Sequence, residues 1–228
     1  MRRIVFAEGE FYHIYNRGVD ARVVFTDQAE YRRFLAYLLI LNDAESVRAD
    51  NLLRNALDPA FKPARPLVAL GAYCLMPNHF HLYATPLIDG GMSQFMQRLQ
   101  TAYTMYFNEK HERSGALFQG TFKAQHVDND RYAQYLFSYI HLNPAKLVDP
   151  SWKERGVRDL GKVREFVASY PFSSLVEYSA DAHRITAPAH FPDYLTSASD
   201  VDTHIRDWLT VRTFDNAGMR KAKPSSKR

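Results

Sequence analysis

Polar and apolar residues alternate through FYHIYNR at 11–17 and stop at Gly18, which predicts a short strand and a turn. From Thr26 to Asn42 the rhythm changes. Phe34, Leu35, Leu38 and Leu39 recur at helical spacing, and Thr26 or Asp27 can cap the helix. Residues 43–66 are polar and carry Pro59, Pro63 and Pro66, so they read as a loop with room for a short helix. LVALGAYCLM at 67–76 reads as a buried strand, Pro77-Asn78 as a turn, and HFHLYAT at 79–85 as the paired strand. After Gly90-Gly91, Ser93 can cap a helix to about His111, with Phe95, Met96, Leu99, Ala102, Tyr103 and Tyr106 on its apolar side. EKHERSG at 109–115 is a charged loop. LFQGTFKAQHV at 117–127 alternates like a strand with a kink at Gly120. Asp128 or Asn129 caps a further helix from Asp130 to Leu142, which stops near Asn143-Pro144.

This order predicts an α+β fold, an antiparallel sheet with helices packed on it. Residues 145–215 are less regular and add capping helices and loops, and no internal repeat is visible. The 228 residues, 46% hydrophobic and 24% charged, suit one sizeable core rather than two full domains, and rule out wholesale disorder. The single cysteine, Cys74, excludes a disulfide framework and any multi-cysteine zinc module; it lies in an apolar strand and reads as a small buried hydrophobe. No apolar run approaches the ~20 residues of a membrane helix. MRRIVFAEGE lacks the apolar stretch of a secretory signal, so a cytoplasmic protein that avoids membranes is expected.

Charge and aromatics shift the picture modestly. Lys and Arg number 29 against 25 Asp and Glu, a formal +4, and Tyr and Phe together give 29. Charge holds phosphates and rings stack on bases, which suits a nucleic-acid binder; the same composition suits an aromatic core in a slightly basic enzyme. RKAKPSSKR from Arg220 carries five of the basic residues, so the folded body is nearer neutrality. Local, structure-guided capture of nucleic acid is therefore more expected than strong sequence-independent binding.

The informative site is His79-Phe80-His81. In a strand, residues i and i+2 share a face, so the two imidazoles project together and make half of a divalent-metal site. The plainer reading of such a pair is two hydrogen-bonded or surface histidines. Tyr139 and Asn143 are four apart in the 130–142 helix and share a face. The plainer reading there is an aromatic stripe on the sheet with Asn143 ending the helix before Pro144. If the two faces meet, the parts suit metal-assisted phosphoryl transfer with tyrosine as nucleophile. A free phenol needs such help, because only ~0.1% is ionised at neutral pH.

YCLMPNHFHLY at 73–83, RSGALFQGTFKA at 113–124 and YLFSYIHLNPAKLV at 135–148 resemble the REP-associated tyrosine transposases, within the single-tyrosine transposases of the HUH endonuclease superfamily. FYHIYNRG at 11–18 and YPFSSLVEY at 170–178 fit the same pattern, in order. The resemblance implies a ferredoxin-like or RRM-like catalytic domain over 1–178; beyond it, where no family motif is visible, the composition reads as a C-terminal extension over 179–215 that packs on it and a basic, disordered tail over 216–228. It makes His79, His81 and Asn143 the ligands of a divalent metal, Mg²⁺ or Mn²⁺, and Tyr139 the nucleophile. It implies an enzyme that nicks and rejoins single-stranded, hairpin-forming repeat DNA through a 5′-phosphotyrosine, without a nucleotide cofactor. Monomeric action is favoured, with a dimer as the other form.

Weaker roles fall to Asn16, Arg17, Lys110, Arg113, Gln119 and Lys123, which could hold phosphates or a structured DNA element and read equally as solvated surface. Tyr135 is the rival nucleophile, but Tyr139 has the Asn four residues later. His13 shares a strand face with Tyr15 and could support the site. His141 should point away and pack. Two other functions compete with strand transfer: binding of structured nucleic acid without cleavage, and metal-dependent phosphodiester hydrolysis by water.

Overall fold

Four strands form one antiparallel sheet: β1 (Phe11–Arg17), β2 (Val68–Met76), β3 (His79–Pro86) and β4 (Lys123–Val127), in the order β2-β3-β1-β4. The structure, a computed structural model, describes residues 4–45 and 58–193. Helix α1 (Gln28–Ile40) joins β1 to β2, and α2 (Gly91–Lys110) joins β3 to β4. This strand-helix-strand-strand-helix-strand order is the ferredoxin-like arrangement, so the α+β fold read from the sequence is the fold observed.

The Phe80 face of the sheet carries α1 and α2. The Phe80 ring lies 5.1 Å from Phe34 of α1 and 5.6 Å from Phe118, and Phe34 lies 4.9 Å from Tyr103 of α2. Helix α3 (Asp130–Leu142) covers the opposite face and contacts β2, β3 and β4. Being covered on both faces explains why β2 reads as a continuous apolar run rather than an alternation.

Three sequence expectations shift. Helix α1 starts at Gln28 with Asp27 as its cap, the carboxylate accepting from the Glu30 N–H at 3.0 Å; Thr26 lies outside and donates to Glu30. Helix α2 starts at Gly91, two residues before Ser93, because Gly90 at φ +68 turns the chain into the helix. The predicted 117–127 strand forms only over Lys123–Val127. Gly120 at φ +65 takes the chain out of the sheet, and Phe118 keeps a single bridge to Gly18. The hairpin and α3 form where predicted.

Beyond α3 come four short helices, α4 (Ala145–Val148), α5 (Trp152–Arg155), α6 (Leu160–Ser169) and α7 (Leu175–Ala180). Between α6 and α7 the chain seals the open edge of β2. The Leu75 N–H donates to the Phe172 carbonyl and the Ser174 N–H to the Tyr73 carbonyl, each at 2.9 Å. The hydroxyls of Tyr170 and Tyr178 reach the carbonyls of Leu75 and Gly71 at 2.8 and 2.6 Å. A covered edge offers no row of unpaired backbone groups to another strand.

Phe191 packs on Tyr83 and Phe11, with ring centroids 4.9 and 5.3 Å apart. Residues 194–215 of the extension, the 216–228 tail, residues 1–3 and residues 46–57 lie outside the described residues. Among the described residues no helix is long and apolar enough to cross a membrane.

Candidate functional site

Strand alternation puts His79 and His81 on the α3 face and Phe80 in the opposite core. On the neighbouring strand Arg17 pairs with His79, Tyr15 with His81 and His13 with Tyr83, so His13, Tyr15 and Arg17 share that face. Helix α3 brings Tyr139 onto it. Asn129 caps the helix, its side chain accepting from the Tyr132 N–H at 2.8 Å, and Tyr135, Tyr139 and Asn143 follow at four-residue steps along one side.

The Tyr139 ring centroid lies 5.4 Å from that of His81, and the two histidine rings of β3 lie 5.1 Å apart. Tyr135 stacks on Tyr139 at 5.9 Å, so Tyr139 is the tyrosine of α3 that meets the histidine pair. Asn143 is fully buried, and its Nδ2 donates to the Tyr139 carbonyl at 3.2 Å. Its amide neighbours both the Tyr139 phenol and the His79 ring. No hydrogen bond of good geometry reaches its buried Oδ1.

Each histidine is tethered through Nδ1. His79 Nδ1 meets Asn78 Oδ1 at 2.6 Å, and His81 Nδ1 meets His13 Nε2 at 2.9 Å inside the protein. Burial holds all three imidazoles neutral. It pushes His13 down to about 3 and, with the Lys146 and Arg17 charges, His79 down to about 4. Burial, then His13 and His79, hold His81 well below its ordinary value. Burial raises the Tyr139 phenol, and Asn143 partly offsets this.

Among the described residues no group of three His, Cys, Asp or Glu side chains converges on a metal position. The set here is of another kind. Two neutral imidazoles tethered at Nδ1, beside a buried amide oxygen that no well-formed hydrogen bond reaches, fit a divalent cation with positions left open for other oxygens.

Residues 64–143 match the family model of IS200-like transposases. The match covers about a third of the chain and includes His79, His81, Tyr139 and Asn143. It agrees with the resemblance carried by the sequence motifs. No curated protein matches the chain. A solved structure of a REP-associated tyrosine transposase bound to a REP hairpin is 15% identical, covering 82% of this chain and 90% of its own at a TM-score of 0.48. A likeness that faint supports nothing about chemistry.

The IS200-like segment and its surroundings place the remaining candidates unevenly. Arg17 lies on the histidine face. Asn16 is buried on the other face, where its amide donates to the Gly120 carbonyl at 3.1 Å and its oxygen accepts from the Arg17 N–H. Lys110 is held by Asp27 and Glu30 at 2.6 and 2.8 Å, and Arg113 by Asn108 and the Ala116 carbonyl. Gln119 is exposed, its N–H on the Arg17 carbonyl; Lys123 is exposed at the start of β4.

His141 points away from the site, as its spacing predicts, and meets Ser174 Oγ at 2.7 Å. Cys74 is buried, and burial pushes its thiol up. A groove of about 1050 Å³ lies elsewhere, between α2 and residues 116–122, lined by Gln97, Gln100, Thr101 and Thr104 among others. Sequence reading missed Lys146 and Lys153, which no spacing rule ties to β3; both come from the short helices after Asn143.

Proposed function

We propose that the protein is a metal-dependent single-stranded DNA nickase and strand transferase that works through a 5′-phosphotyrosine. The observation that carries this is the meeting of Tyr139 with His81 and Asn143 on one sheet face. The similarity of residues 64–143 to the IS200-like transposases supports it. Hairpin-forming repeat DNA is the proposed substrate.

The Tyr139 hydroxyl attacks a backbone phosphorus. An O–P bond forms to the phenol oxygen, and the bond to the 3′ oxygen breaks. The phenol proton is lost, and the leaving oxygen gains one to give a free 3′-OH. The bond energy stays in the phosphotyrosine, so a later 3′-OH can reverse the step without a nucleotide cofactor. Asn143 neighbours the phenol and would orient it, and the neutral His79 and His81 keep lone pairs available beside it. A Mg²⁺ or Mn²⁺ ion held by His79, His81 and Asn143 would supply Lewis-acid polarisation of the phosphate.

The test is incubation of labelled hairpin single-stranded DNA with the full chain and Mg²⁺ or Mn²⁺, followed by denaturing electrophoresis. A covalent protein–DNA adduct is expected, and Tyr139→Phe should lose it. An adduct that persists in Tyr139→Phe removes the nucleophile assignment. Hydrolysis without adduct favours attack by water, and binding without cleavage favours a recognition module.

A further inference from the structure

Two lysines outside the family match stand near the site. Lys146 lies in α4, three residues past Asn143, and Lys153 lies in α5. Lys153 Nζ stands 4.0 Å from the centroid of the Tyr139 ring and 5.6 Å from that of Trp152, itself buried. Both lysines are half-buried. The Lys146 charge reaches His79 and His81, the Lys153 charge reaches His81, and the Arg17 charge reaches His79 and Lys146. Three cations from β1, α4 and α5 therefore gather around the histidine pair, and Lys153 also stands over the Tyr139 ring.

These cations oppose one another. Burial and then Lys146 draw Lys153 down to about 7; burial and Arg17 draw Lys146 down. Glu154, which acts on both lysines in the opposite sense, is exposed. Gathering like charges in a partly desolvated place costs the fold stability. An anion placed among them would relieve that cost and be strongly attracted. Tyr139, whose ring Lys153 covers, is the group whose proposed partner carries such an anion.

We propose that Lys146 and Lys153, together with Arg17, grip the backbone phosphate of single-stranded DNA that Tyr139 attacks. This rests on the nickase reading above and adds the side chains that hold the reacting phosphate. Lysine suits the role as a compact charge with three donors on a flexible stem. Such contacts fix position and carry no base sequence.

The experiment uses the full chain with Tyr139→Phe, which keeps the ring under Lys153 and prevents covalent capture. Binding of a 20-nucleotide single strand is followed by fluorescence anisotropy across a NaCl series without divalent metal. Each cation that neutralises a single-strand phosphate contributes ~0.7 to the slope of log affinity against log salt. At pH 6, where Lys153 is protonated, Lys146→Met and Lys153→Met should each lower the slope by about 0.7, and Lys153→Arg should retain it. Lys162→Met, on the exposed side of α6, should leave it unchanged. Unchanged slopes in both lysine-to-methionine variants overturn the proposal.

A variant that fails to fold is replaced by a titration of the unsubstituted full chain with inorganic phosphate, read by NMR at the Lys153 side chain. A saturable shift is expected, and its absence also overturns the proposal. The two readings fail separately. Lowered slopes with no adduct from the unsubstituted protein would sink the Tyr139 chemistry and leave the phosphate grip standing. An adduct with unaltered slopes would do the reverse.

Discussion

The buried His13–His81 contact should set both the stability of the site and the direction of the His81 ring, and His13→Phe tests it. Phe fills similar space, so the change deletes a bonding nitrogen without opening a large cavity. His13 and His81 are 3% and 7% exposed, and their nitrogens lie 2.9 Å apart. Leaving His81 Nδ1 without a partner in that setting costs about 1–3 kcal/mol. For a chain of this size that lowers Tm by roughly 3–10 °C.

His81→Phe orphans His13 Nε2 and should cost a comparable amount. The double variant replaces both partners by apolar rings, so its loss should fall short of the sum, with a coupling above about 0.5 kcal/mol. Urea unfolding of the four full-length proteins measures the cycle. A second measurement, Mn²⁺ binding by calorimetry, should show about 10–100-fold weaker affinity in His13→Phe, because an untethered ligand ring must be ordered on binding. Additive losses together with unaltered Mn²⁺ affinity would refute the reasoning, since His81 would then hold its orientation without His13.

The remaining predictions concern the whole fold. His13, His79 and His141 are held neutral with values pushed down to about 3, 4 and 3, whereas the unfolded chain protonates them near 6.5. The unfolded state therefore binds more protons below that pH. Stability is full above it and falls as the solution is acidified toward 3–4, by about 2 kcal/mol per histidine between pH 7 and 5. Unfolding free energies across that range should decline steeply, and His141→Gln should remove about one proton from the slope; a flat profile would contradict the burial. Ser174→Ala strips a buried partner from His141 and from the Tyr73 N–H and should cost about 1–3 kcal/mol, seen as faster hydrogen exchange at Tyr73. Gly71→Ala brings a methyl to 2.8 Å from the Phe191 ring and should loosen that ring from Tyr83 and Phe11, read as new limited-proteolysis cleavage near 187–193.

The elements legible in the sequence were those whose pattern and punctuation agree. The Pro77-Asn78 hairpin and the Asn129-capped α3 each pair a clear run with its own stop signal, and both form where predicted. The 117–127 strand misled because alternation continues across Gly120, whose positive φ breaks the pairing. Within the site, two periods sufficed to pair His79 with His81 and Tyr139 with Asn143. Where the helix would land required the sheet order. The position of Lys153 depends on the path of the chain through α4 and α5, which no local rule encodes. Lys110 looked available in sequence, but its partners Asp27 and Glu30 lie on α1 and its cap, some eighty residues away.

The edge seal along β2 has a consequence for how many chains a reaction needs. Ser174 bonds the Tyr73 backbone and, through the same oxygen, His141 of α3. The helix carrying Tyr139 is thus moored to its own sheet at the end opposite its cap. Handing that helix to a second copy would mean breaking this buried bond in each partner. Each chain carries its own tyrosine beside its own histidines. On the proposed strand-transfer reading, an assembly of two would hold two self-sufficient centres rather than two centres built from shared halves.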